Sequence, residues 1–85
     1  MPEIARFDGL TVVMYHHDHE PAHVHCYSGG HHVTARIGSG LITGTLPRRQ
    51  RQRLLARMAV RRAELRENWI RARAGWPLNP VAPPE

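Results

Sequence analysis

Lysine is absent from this chain, so all twelve cationic side chains are arginine. Cysteine is nearly absent as well. With Cys26 alone, no internal disulfide can form, and a reducing cytoplasm is the expected setting. No apolar run approaches the roughly 20 residues needed to span a bilayer, so no membrane partner is expected. The opening Met-Pro-Glu-Ile-Ala-Arg stretch lacks the basic-then-apolar pattern of a secretory signal. Aromatics are few: two Trp, two Tyr and one Phe in 85 residues. A core built from so little supports one domain with a stability margin of only a few kcal/mol. A metal ion, a partner or a homodimer would add to it.

Acidic residues are scarce where the arginines gather. Between Leu46 and Gly75 ten arginines face only Glu64 and Glu67, although the whole chain carries a formal net charge of +5. The remainder is net acidic when its histidines are neutral. One element is therefore strongly cationic, and such a surface meets nucleic acid, an acidic protein or an anionic membrane.

The apolar pattern changes period near residue 46. Before it, Ile4–Phe7 and Leu10–Tyr15 read as strands joined by the Asp8-Gly9 turn. His23–Tyr27 alternates with period two, Ser28-Gly29-Gly30 is a second turn, and His31–Ile37 alternates again. Leu41–Thr43 is a last short strand or a loop. From Leu46-Pro47 to Ala74 nothing breaks a helix, and Leu54, Leu55, Met58, Leu65 and Trp69 form one apolar stripe. Arg62 interrupts that stripe, so one helix of roughly 40 Å and two shorter helices both fit. Gly75 is the expected terminator. These elements predict an α+β fold: a small, mostly antiparallel sheet of three to five strands against a C-terminal arginine-rich helix or helix pair. The domain is expected over residues 1–75, with a Pro-rich tail at 76–85 that is disordered or extended on a partner.

All seven histidines fall between His16 and His32. Imidazole titrates near neutrality and is the commonest metal ligand. His23 and His25 are two apart on a predicted strand and point to one side. Two imidazoles so placed can seat a divalent ion, zinc or manganese, once a third ligand arrives. His19 is the expected third ligand, and His16, His17, His31 and His32 are further candidates. Asp18 and Glu20, in the loop just before, would supply a general base if the site is catalytic. Cys26 points away from His25 and reads as a small buried apolar residue. There is no C-x-x-C. Histidines that only satisfy loop hydrogen bonds fit the same pattern.

Phe7-Asp-Gly-Leu10, Asp18-His-Glu-Pro-Ala-His-Val-His25, the Leu46-Pro47 helix opening, Glu64-Leu65 and Trp69 resemble a family of small bacterial proteins termed domain of unknown function 4160. The resemblance runs from about Pro2 to Trp69. It implies shared positions at Asp18, His19, Pro21, His23, Val24 and His25. The chain departs at Ala22, where the family usually has a second proline, and it adds His16, His17, His31 and His32. The family has no established activity. Its members look like companions of other small bacterial proteins, often encoded as two-gene modules resembling toxin–antitoxin pairs.

The reading that follows is a small binding module, one half of such a gene pair. It would contact a partner protein from a neighbouring gene, or nucleic acid, through its basic helix. Arg48, Arg49, Arg51, Arg53 and Arg57, with Trp76 in the tail, are the expected contact residues. The alternative is a divalent-metal-dependent hydrolase or nuclease using the His cluster, with the basic helix leading a phosphodiester to the metal.

Overall fold

The computed structural model describes residues 2–81. Five strands come first: β1 (Glu3–Phe7), β2 (Leu10–Val13), β3 (His23–Ser28), β4 (His31–Arg36) and β5 (Ile42–Thr43). They form one sheet in sequence order, each pair antiparallel. Helices α1 (Arg48–Val60) and α2 (Arg62–Ala74) follow, so the fold is α+β with a helix pair.

Alternation assigns each strand its two faces. Val24 and Cys26 of β3 and Ala35 of β4 are fully buried, as are Leu10 and Met14. They join Leu54 and Met58 of α1 and Leu65, Trp69 and Ala72 of α2 in one core. His23, His25 and Tyr27 alternate with them and so stand on the opposite face. Asp8 (φ 50°) and Gly9 (φ 77°) are both left-handed, the combination that a two-residue hairpin turn requires.

The helical region breaks at Arg61, where φ is −106° and ψ is 21°. An unbroken helix of roughly 40 Å would overrun a molecule whose longest dimension is 34 Å. Instead Arg62 Nε donates to the Ile37 carbonyl (3.2 Å), and α2 turns back across the end of the sheet. Gly75 closes α2 in the left-handed conformation, with Trp76 N–H donating to the Arg71 carbonyl (2.8 Å). Among the described residues, no helix is long and apolar enough to cross a membrane.

Residues 76–81 have no regular structure, and they lie on their own domain. Buried Asn68 donates to the Asn79 carbonyl and accepts from Asn79 N–H, both at 2.8 Å. Val81 N–H then donates to the Ile4 carbonyl (2.8 Å) along the free edge of β1. The end of the Pro-rich tail, 82–85, falls outside the described residues.

The two ends of the sheet are held differently. At the Ser28 end, Gln50 near the start of α1 accepts from Ser28 Oγ (2.8 Å) and donates to the Asp8 carbonyl (3.0 Å). At the His23 end, α2 grips the β2–β3 loop: His17 N–H donates to the Ala72 carbonyl (3.2 Å), and Arg73 donates to the Asp18 carbonyl (2.8 Å).

Candidate metal centre

The loop between β2 and β3 carries Asp18 to the start of β3, and α2 fixes it there. Besides the two bonds to Ala72 and Arg73, Trp69 Nε1 donates to Glu20 (3.2 Å) and His16 Nε2 donates to the Trp76 carbonyl (2.9 Å). The loop therefore closes over the sheet as a positioned strap. Its product is a tight group: one ligand atom each from Asp18, His23 and His25, all within 4.8 Å of one another. Asp18 Oδ2 lies 2.9 Å from His23 Nε2 and 3.2 Å from His25 Nε2.

Both imidazoles are also held from behind. His23 Nδ1 sits 2.8 Å from the Pro21 carbonyl. A carbonyl only accepts, so that nitrogen carries the proton. In a neutral ring the lone pair is then on Nε2, facing Asp18. A lone pair and a carboxylate oxygen at 2.9 Å repel each other unless a positive charge lies at the contact. That charge is a second ring proton or a metal ion. His25 differs: its Nδ1 lies 3.1 Å from His32 Nε2, where either ring can donate, so a neutral His25 can still donate from Nε2 to Asp18. Ligating histidines are characteristically oriented by such a bond from the nitrogen remote from the metal.

Burial acts on both partners. On Asp18 it is the largest influence and would raise the pKa. The backbone N–H of His19, the bond from His25 and the nearby His23 and His19 outweigh it, and the carboxyl sits below its ordinary value. Burial lowers the His25 pKa. Asp18 pulls it back, His23 and His32 push it further down, and the net position is below ordinary. An ionised carboxylate beside a neutral imidazole is the protonation state a metal requires.

Around the group, the His23 ring packs against Trp69 at 5.3 Å, which closes the inner side. On the outer side lies a cleft of about 180 Å³ lined by His19, Pro21, His23, His25, Thr34, Arg36 and Thr43. Register explains that lining: His23 is opposite Arg36, His25 is opposite Thr34, and Thr34 is opposite Thr43.

The other expected residues are distributed around this centre. His19 is mostly exposed (83%), with Nδ1 2.9 Å from Asp18 Oδ1, and stands outside the group of three. Asp18, expected as a general base, stands instead in the group of three where His19 was expected. His32 stands behind His25, stacked on Tyr27 at 4.4 Å. His16 is spent on the Trp76 carbonyl, and His17 is exposed beside Gly75. His31 is exposed at the tip of the β3–β4 hairpin. Glu20 is held by Trp69 Nε1 and lies 4.0 Å from Arg73.

The arginines of α1 are not at this site. Arg48, Arg49 and Arg51 flank Gln50 at the Ser28 end, Arg53 lies 3.5 Å from Asp8, and Arg57 sits over the Phe7 ring. The picture of a basic helix feeding a phosphodiester to the metal is therefore replaced: the arginine that lines the cleft is Arg36, and Arg73 is bonded to the Asp18 carbonyl. Trp76, half exposed at 54%, follows the end of α2. Sequence reasoning passed over Arg36, Trp69 as the site's inner wall, and Asn68. The signal available for Arg36 was its place in the hairpin register opposite His23.

Fold and site together define a small α+β domain with a two-histidine, one-carboxylate group at the end of a meander sheet. The family model described as Domain of unknown function (DUF4160) matches residues 9–70, and the chain belongs to that family. No curated protein and no solved structure matches it.

Proposed function

We propose that this protein is a divalent-metal-binding domain, with Asp18, His23 and His25 as ligands and the remaining coordination positions open to the cleft. One observation carries the reading: a single carboxylate oxygen faces two Nε2 atoms at 2.9 and 3.2 Å while the Pro21 carbonyl fixes the His23 tautomer. Two imidazoles and a carboxylate suit zinc, manganese or iron. Such an ion can bind an anionic ligand or lower the pKa of a bound water, which keeps hydrolysis open to this domain. The test is a Mn²⁺ or Zn²⁺ titration by calorimetry on protein purified without a metal column, beside His25→Gln. The reading expects about one ion per chain and at least a tenfold weaker fit in the variant. Equal binding by both folded proteins overturns it.

A second reading rests on a separate observation. Arg48, Arg49 and Arg51 are exposed, and among the described residues no carboxylate pairs with them. This surface supports docking to an acidic protein encoded nearby, as in a toxin–antitoxin-like pair, or to nucleic acid. A cytoplasmic setting agrees with the single thiol.

A further inference from the structure

The cleft beside the metal group has a charge and a donor pattern of its own. Arg36 lines it, one register position across from His23, and among the described residues no carboxylate is paired with its guanidinium. Thr34 and Thr43 face each other on the same wall, so two hydroxyl donors stand in a row with His25. A divalent ion on one carboxylate leaves a net charge of +1 there, and Arg36 adds another. The cleft then calls for a ligand with two negative charges and several acceptor oxygens.

We propose that this cleft binds a phosphate oxyanion, one oxygen on the metal ion, two on the fork of Arg36, and the threonine hydroxyls completing the shell. The inference rests on the metal reading above and names its ligand class. A carboxylate has two oxygens and one charge, too few to occupy the ion, the guanidinium fork and the hydroxyls together. A tetrahedral phosphate has four oxygens, and arginine's planar fork matches two of them. A volume of about 180 Å³ admits a phosphate group with a small substituent.

The experiment uses the full chain saturated with Mn²⁺, occupancy being confirmed for each variant first. Inorganic phosphate, phenyl phosphate and a phosphodiester dinucleotide are titrated separately, with acetate as the carboxylate control. Affinity is read by calorimetry, and the approach to the ion by Mn²⁺-induced relaxation of the ³¹P signal. The expected result is strong ³¹P relaxation with at least one phosphate probe, weaker binding of acetate, and about a tenfold loss of phosphate affinity in Arg36→Gln. The tightest of the three probes identifies the source as free phosphate, a monoester or a diester. Arg36→Gln binding phosphate as tightly as the parent overturns the proposal, and so does Mn²⁺-loaded protein that relaxes none of the probes. If the parent chain takes up no Mn²⁺, the metal reading itself falls at that earlier step, and this proposal falls with it.

Discussion

A carboxylate oxygen facing an imidazole nitrogen whose ring proton is already spent elsewhere needs a cation at the contact, and between Asp18 and His23 the candidates are a proton and a metal ion. The bond from His23 to the Pro21 carbonyl already spends one ring proton, so a proton-only solution requires a fully charged His23 beside Trp69, nine-tenths out of solvent. The metal solution leaves both rings neutral. It predicts unequal roles for neighbours that look equivalent in sequence. Asp18→Asn should abolish divalent binding, whereas His19→Ala, outside the group of three, should weaken it less than about threefold; calorimetry on both decides. The reverse ranking would restore His19 as the ligand that the family's shared positions imply. The H-x-H pair was legible because strand alternation fixes its geometry. The third ligand was not, because a nine-residue loop can present any of its side chains until its anchors on α2 are known. Cys26 was legible too, and its burial has a measurable consequence. Burial pushes its thiol from an ordinary 9.0 up to about 11. The folded chain therefore holds this proton across a range where the unfolded chain has lost it. Stability should be unaffected by this group below pH 9 and fall as pH rises from 9 through 11. Urea melts across that range should slope less in Cys26→Ala than in the parent.

At the scale of elements, strands and turns were read from local chemistry, while the joint between helices and the path of the tail were decided by tertiary contacts. Asp8-Gly9 supplies two left-handed residues, and alternation in β3 and β4 sets their registers. Nothing local dictates a break at Arg61, where the backbone hydrogen bonds run on from Arg57 through Arg61 to Leu65. The limit is the length of the sheet. Likewise, the proline content of residues 76–81 excludes helix and strand but says nothing about what they lie on. Asn68 answers that, because its amide mimics a neighbouring strand and takes both backbone groups of Asn79. At 1% exposure it has no water to fall back on. Asn68→Leu should cost about 2 kcal/mol, about 1 kcal/mol for each hydrogen bond to Asn79 lost. The Val81 amide, bonded to Ile4, should then exchange with solvent much faster. An unchanged Val81 exchange rate would show that the tail is held by Val81 and Leu78 packing alone.

For the whole molecule, the feature that sequence could not supply is the direction in which charge is laid out. A run of arginines after a histidine loop reads as one functional surface, yet the sheet separates them. β3 runs from His23 to Ser28, a span of roughly 17 Å at about 3.3 Å per residue, and α1 begins at the far end beside Gln50. At physiological ionic strength the Debye length is about 8 Å, and at 0.01 M it is about 30 Å. The cationic helix and the candidate metal group are thus independent in the first condition and coupled in the second. Replacing Arg48, Arg49, Arg51 and Arg53 together by glutamine should leave Mn²⁺ affinity within about twofold at 0.15 M salt. At 0.01 M the same variant should bind Mn²⁺ more tightly than the parent, because four repelling charges have gone. Association with an acidic partner should weaken in that variant at either salt, and most at the lower. A metal affinity that drops in the quadruple variant at 0.15 M would mean that helix and site act as one surface, and the two-ended picture of the domain would have to be abandoned.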